Sequence, residues 1–145
     1  MSKKQLIIGD IHGCFDELQT LLDKSGISDN DEIISVGDMV DRGPNNPAVI
    51  DFFKNSENTK AILGNHEWKH IRWYEGILKS AISQRITKIQ FGSSYSELID
   101  YLKKLPVYIE LEDAVIVHGF FEPGVKLENQ KKEVTTGTIS GDQYL

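Results

Sequence analysis

The chain carries a single cysteine, Cys14, so no internal disulfide can form and a reducing, cytoplasmic setting is expected. No apolar run approaches the length that spans a bilayer. Ahead of Gly9 there are two lysines but only three consecutive apolar residues, Leu6 to Ile8, too few for the core of a signal peptide. Basic clusters are equally scarce. The adjacent basic pairs are Lys3-Lys4, Lys103-Lys104 and Lys131-Lys132, and 16 basic residues face 22 acidic ones for a net charge of -6. That balance disfavours a nucleic-acid binder, which needs basic patches against phosphates. Internal repeats and low-complexity tracts are absent too. What is present is a composition that buries a core and stays soluble: 39% hydrophobic and 26% charged residues over 145 positions, the size of one domain.

Along the first half, apolar segments and turn signals alternate as strand, loop and helix, the order of an α/β sheet with helices on its faces. Gln5 to Ile8 reads as a strand ending at Gly9-Asp10. Phe15, Leu18, Leu21 and Leu22 then fall at helical spacing until Gly26, with Asp16 and Glu17 where the helix dipole favours negative charge. Glu32 to Val36 is a second strand, followed by a helix with Asn46 as N-cap and Pro47 at N1. Lys60 to Leu63 is a third, followed by a helix from about His66 on which Ile71, Tyr74, Leu78 and Ile82 form one face. Ser94 and Glu97 have capping-box spacing before a short helix that Pro106 ends. Val107 to Leu111 and Ala114 to Val117 read as strands joined by a tight turn at Glu112-Asp113. From Phe120 onward the chain is polar, like a segment with nothing yet to pack on.

Four strand ends carry polar clusters: residues 9–13 (GDIHG), 37–43 (GDMVDRG), 64–67 (GNHE) and 118–119 (HG). Carboxyl ends of strands in such a sheet share one edge, where ligand sites form, so these clusters are expected to converge. Asp10, His12, Asp38, Asn65 and His118 make a mixed oxygen and nitrogen shell without thiolate, suited to Mn, Fe, Zn, Ni or Co, and a central carboxylate in it can bridge two ions. Two metals about 3.5–4 Å apart activate water and clamp a phosphoryl group. Arg42 offers a planar fork for phosphate oxygens. His66 can protonate a leaving alkoxide, with Asp41 holding its ring in the required tautomer.

In this order, each after a strand, the four clusters resemble those of the calcineurin-like metallophosphoesterases, and within them the bacterial type of the phosphoprotein (serine/threonine) phosphatase family. The likeness runs from Leu6 to Gly124. It implies a four-layer α-β-β-α sandwich, one metallophosphoesterase domain over residues 1–145, with two divalent ions as cofactor, manganese foremost. It further implies Asp10 and His12 as ligands of one metal, Asp38 as the bridge, and Asn65 and His118 as ligands of the other. His66 matches the general acid, Asp41 its orienting partner, and Arg42 with Asn65 the phosphate-binding groups. The implied reaction is hydrolysis of phosphomonoesters, phosphoserine or phosphothreonine foremost, by in-line attack of a hydroxide shared by the metals. Asp41 and Glu67 favour that branch, because the dinucleoside tetraphosphate hydrolases usually lack the aspartate. A dinucleoside polyphosphate or other nucleotide hydrolase is the alternative; a non-catalytic metal- or phosphate-binding module is the rival outside enzymes. The expected partner is a phosphorylated protein or small phosphoester, with no nucleic acid and no membrane.

The family also has a later Gly-His ligand and a phosphate-binding arginine before it. This chain has no histidine after His118 and no arginine after Arg85. The sandwich is therefore expected to be incomplete at the carboxyl end, the chain being the amino-terminal portion of a longer protein. Completion of the site by groups from another chain, or a degenerate site, would produce the same pattern. Outside the clusters, His70 is expected to face solvent, Cys14 to be a small, partly buried helix residue, and Trp68, Trp73 and Tyr74 to serve helix packing.

Overall fold

The computed structural model describes residues 3–138. Strands β1 (Gln5–Ile8), β2 (Glu32–Ser35) and β3 (Thr59–Ala61) form a parallel sheet in the order β1-β2-β3, linked by helices α1 (Phe15–Ser25) and α2 (Asn46–Asn55). Helices α3 (Asn65–Tyr74), α4 (Ile82–Phe91) and α5 (Tyr95–Leu102) follow, and then the antiparallel pair β4 (Tyr108–Glu110) and β5 (Val115–Val117). This is the α/β architecture expected. Successive residues of β2 point to opposite faces, and both faces are covered. Ile33 joins the core beneath the helices, with Leu18, Val49, Ile50, Phe53, Ile71 and Leu98, whereas Ile34 packs with Ile62 and with Ile116 of β5. Ile34 has no exposed surface, and burying a side chain of this kind contributes about 1.5–3 kcal/mol. Ile7, its register partner in β1, stays 48% exposed. The second sheet has only two strands among the described residues, and no helix longer than four residues follows β5 there. The outer helical layer of a complete sandwich is thus not among them.

Several local expectations are corrected. The helix from His66 stops at Tyr74, because Gly76 takes a left-handed φ of 75°. Its N–H donates to Trp73 O and that of Ile77 to Arg72 O, both at about 3 Å, the paired bonds that close a helix on a left-handed residue. A separate helix, α4, starts at Ile82, which is 77% exposed rather than part of a buried face with Ile71. The N-cap of α2 is Asn45, whose side chain accepts from the N–H of Ala48, and Asn46 is the first helical residue. Ser94 makes no side-chain cap to α5, because a 3-10 turn over Gly92–Ser94 leads directly into it and holds Ser94 at ψ 5°. The polar tail is packed rather than waiting. A short helix, α6 (Lys132–Thr135), buries Val134, Thr135 and Thr136, and the N–H groups of Gly119 and Phe120 donate to Thr135 O and Val134 O. A side chain at Gly119 would overlap the backbone of Gly137, so glycine is what permits this approach. Residues 139–145 of that tail lie outside the described residues.

Candidate active site

The three parallel strands and β5 deliver their clusters to one place. The loops after β1 and β2 are strapped together by backbone bonds: the N–H groups of Ile11 and His12 both donate to Asp38 O, at 3.0 and 2.9 Å, and that of Gly13 donates to Met39 O at 2.8 Å. Holding them this close forces four non-glycine residues, His12, Asp38, Asp41 and Arg42, to φ between 47° and 73°. That region is costly for side-chain-bearing residues and persists only where the surroundings enforce it. All four belong to the candidate site.

Within this loop pair, electron-donating atoms converge. His12 donates from Nδ1 to Val40 O at 2.7 Å, leaving Nε2 as a bare acceptor that is buried and unpartnered, 3.7 Å from Asp38 Oδ2 and 3.8 Å from Asp10 Oδ2. His118 likewise donates from Nδ1 to Val36 O at 2.9 Å, and its Nε2 lies 3.1 Å from the Asn65 amide and 3.4 Å from Asp38 Oδ1. The Asn65 amide can turn its nitrogen inward to donate to both Asp38 oxygens, at 2.9 and 3.0 Å, or its oxygen inward, where acceptors face acceptors. Two imidazole lone pairs, two carboxylates and an amide aimed at one space call for a cation, and a backbone carbonyl on the far ring nitrogen is how ligating histidines are oriented. The residues therefore fit divalent metals. Two triads meet at Asp38: Asp10, Asp38 and His118 in one, His12, Asp38 and His66 in the other. Asp38 is common to both, and Asp10 Oδ2 also faces His12 Nε2, at 3.8 Å.

On the other side of Asp38 lies the His66–Asp41 pair. His66 Nδ1 sits 2.7 Å from Asp41 Oδ2, and Arg42 donates to His66 Nε2 at 3.3 Å. A guanidinium only donates, so in this arrangement His66 Nε2 accepts and Nδ1 donates to Asp41. Asp41 has no exposed surface. Burial pushes its carboxyl up, but hydrogen bonds from His66, His70 and the Thr87 hydroxyl outweigh it and hold the group well below the usual carboxylate range.

Sequence reasoning missed two residues that build this site, His70 and Thr87, and gave a third, Glu67, no structural role. His70, expected at the surface, is fully buried and bonded to Asp41 Oδ1 at 2.8 Å; its place four residues after His66 puts both rings on one helix face. Thr87 of α4 donates to the same oxygen at 2.6 Å. Glu67 accepts four backbone N–H groups, from Asp38 and Gly64 on Oε2 and from Met39 and Val40 on Oε1. It clamps the β2 loop to the start of α3. Burial and the adjacent Asp38 charge push its carboxyl up, while the four donors favour the ionised form. The position of Glu67 third in its helix was the only sequence signal for that role. Of the aromatics, Trp68 and Trp73 pack partly buried against the core as expected, whereas Tyr74 is largely exposed.

A parallel sheet with carboxylates, imidazoles and an arginine gathered at its strand ends defines a metallophosphoesterase domain. The chain belongs to the calcineurin-like phosphoesterase family, whose pattern matches residues 3–141. A symmetrical bis(5'-nucleosyl)-tetraphosphatase of Shewanella sp. (strain W3-18-1) is 34% identical over 95% of this chain and 53% of its own length. A solved structure described as a candidate diadenosine tetraphosphatase superposes with a TM-score of 0.76 at 26% identity, covering 94% of this chain and 59% of that one. A Saccharomyces cerevisiae protein serine/threonine phosphatase shares the fold at 20% identity and a TM-score of 0.66, over 88% of this chain and 42% of that one. The chain spans about half the length of the curated relatives it matches. Among the described residues, no helix is long and apolar enough to cross a membrane.

Proposed function

We propose that the protein is a metal-dependent phosphohydrolase acting on dinucleoside polyphosphates. The observation that carries the substrate class is the likeness to symmetrical bis(5'-nucleosyl)-tetraphosphatases at 33–36% identity over most of this chain. This reverses the preference for phosphoproteins drawn from Asp41 and Glu67. Asp10, His12, Asp38, Asn65 and His118 are the residues that hold the ions, with Asp38 shared. Divalent cations there, manganese being the first to test, supply Lewis acidity toward water and phosphoryl oxygens. Arg42, exposed at the rim, binds phosphate oxygens and in doing so leaves His66 Nε2. Once free, that nitrogen can take up a proton from solvent and pass it to the leaving oxygen, while Asp41 keeps Nδ1–H in place.

A second reading, phosphomonoester hydrolysis, is favoured by the His66–Asp41 pair itself. A nucleotide leaves as a weakly basic phosphate and gains little from a proton donor, whereas an alkoxide needs one. The test is full-length protein with manganese, assayed on diadenosine tetraphosphate and on a phosphoserine peptide. We expect kcat/KM to favour the dinucleotide by at least about tenfold; the reverse ratio overturns the substrate assignment in favour of the second reading.

A further inference from the structure

We propose that His70, held by Tyr95, is a positioning residue for the Asp41–His66 pair. The inference rests on His66 as proton donor in the proposed function but not on which phosphoester is the substrate. Asp41 is gripped on both oxygens: Oδ2 by His66, Oδ1 by His70 Nε2 at 2.8 Å and by Thr87 Oγ1 at 2.6 Å. Two imidazoles one turn apart on α3 thus clamp one carboxylate, and α4 adds the third donor. On the far side of His70, Nδ1 lies 2.9 Å from the hydroxyl of Tyr95. Burial and the Asp41 charge push that phenol well above its usual range, so it stays protonated. Donation from Tyr95 to Nδ1 leaves the His70 proton on Nε2, where it donates to Asp41. Tyr95 and His70 are both buried, and their rings meet at 5.8 Å. A carboxylate bonded to His66 alone could swing and carry the ring with it. Pinned by two further donors, it fixes the line along which His66 presents Nε2.

A misplaced proton donor slows substrates with basic leaving groups and spares those whose leaving group departs unaided, whereas lost stability slows both alike. The experiment compares His70→Ala, His70→Gln and Tyr95→Phe in full-length, metal-loaded protein on an alkyl phosphomonoester and on p-nitrophenyl phosphate, with His66→Ala as reference. Expected for His70→Ala is a loss of about 10- to 100-fold in kcat on the alkyl ester, within the roughly 10²–10⁴ that a positioned acid contributes, and no more than about threefold on the nitrophenyl ester. His70→Gln, which keeps a donor at the same place, recovers most of it, and Tyr95→Phe shows a smaller loss of the same pattern. In metal-free protein, side-chain nitrogen NMR is expected to show His66 protonated on Nδ1 and His70 on Nε2, the latter giving way to mixed tautomers in Tyr95→Phe. Equal slowing of both esters, no rescue by glutamine, or a proton on His70 Nδ1 overturns the inference. An absence of leaving-group dependence in His66→Ala removes the acid assignment and this inference with it. Loss of dinucleotide activity with the ester pattern intact refutes only the substrate assignment.

Discussion

Replacing Glu67 by glutamine tests how the site is held together. Each carboxylate oxygen of Glu67 accepts two backbone N–H groups, at 2.8 and 2.9 Å on Oε2 and at 2.8 and 3.2 Å on Oε1. An amide has one oxygen, so in either orientation its NH2 group faces two N–H donors that have lost their acceptor. A buried donor left unsatisfied costs about 1–3 kcal/mol, which puts Glu67→Gln at roughly 2–6 kcal/mol. Against a typical total of about 5–15 kcal/mol that is a large fraction, and near 3 kcal/mol it lowers Tm by about 10 °C for a domain of this size. The damage falls on the N–H groups of Asp38, Met39 and Val40, so the Asp38 carboxylate should shift as well and metal affinity weaken. Thermal melts with and without manganese, together with metal titration, measure both effects. If the variant melts within about 2 °C of the parent at neutral pH and binds metal equally, Glu67 is held as the neutral acid and the clamp argument is wrong.

Three further outcomes follow from the same geometry. Asp38→Asn should lower the content of both metals by elemental analysis, because the Asp38 carboxylate faces His12 with one oxygen and His118 with the other; loss of one metal alone would assign it to a single ion. Gly43→Ala should destabilise by at least about 2 kcal/mol and reduce metal binding, since its methyl group would overlap the His12 carbonyl oxygen; a chemical denaturation midpoint equal to the parent's would refute the close approach. Asp31, bonded to the Ser28 hydroxyl and to the N–H groups of Lys4 and Ser28, has its carboxyl lowered from 3.8 to about 2. A lowered folded-state value stabilises above the unfolded one and is lost on acidification. Asp31→Asn should therefore melt lower than the parent at pH 7, the gap closing as pH falls from about 4 to about 2; a gap constant over that range would refute the assignment.

The features legible in the sequence are those written in local chemistry. Glycine followed by a carboxylate or amide residue after a short β-prone run marks a strand end; three such marks predicted the parallel sheet, and with His118-Gly119 after a fourth run they predicted the convergence of Asp10, His12, Asp38, Asn65 and His118. Helix interiors were legible where apolar spacing was regular, as in α1 and α2. They were misread where one glycine decided: Gly76 ends α3 and separates it from α4, although the apolar spacing runs through to Ile82.

What only the tertiary structure decided is which way a polar side chain faces when its partner is far along the chain. His70 looks like a surface residue until Tyr95 and Asp41, 25 and 29 positions away, close over it. Thr87 sits on a helix whose isoleucines Ile82, Ile86 and Ile89 face outward, the reverse of the usual pattern, because its polar side meets Asp41 and the loop after β2. The sequence alone determined which chemical groups stand at the sheet edge, since strand ends and glycines are local. Packing determined how they are held, because a buried carboxylate takes its donors from whichever elements the fold brings past it.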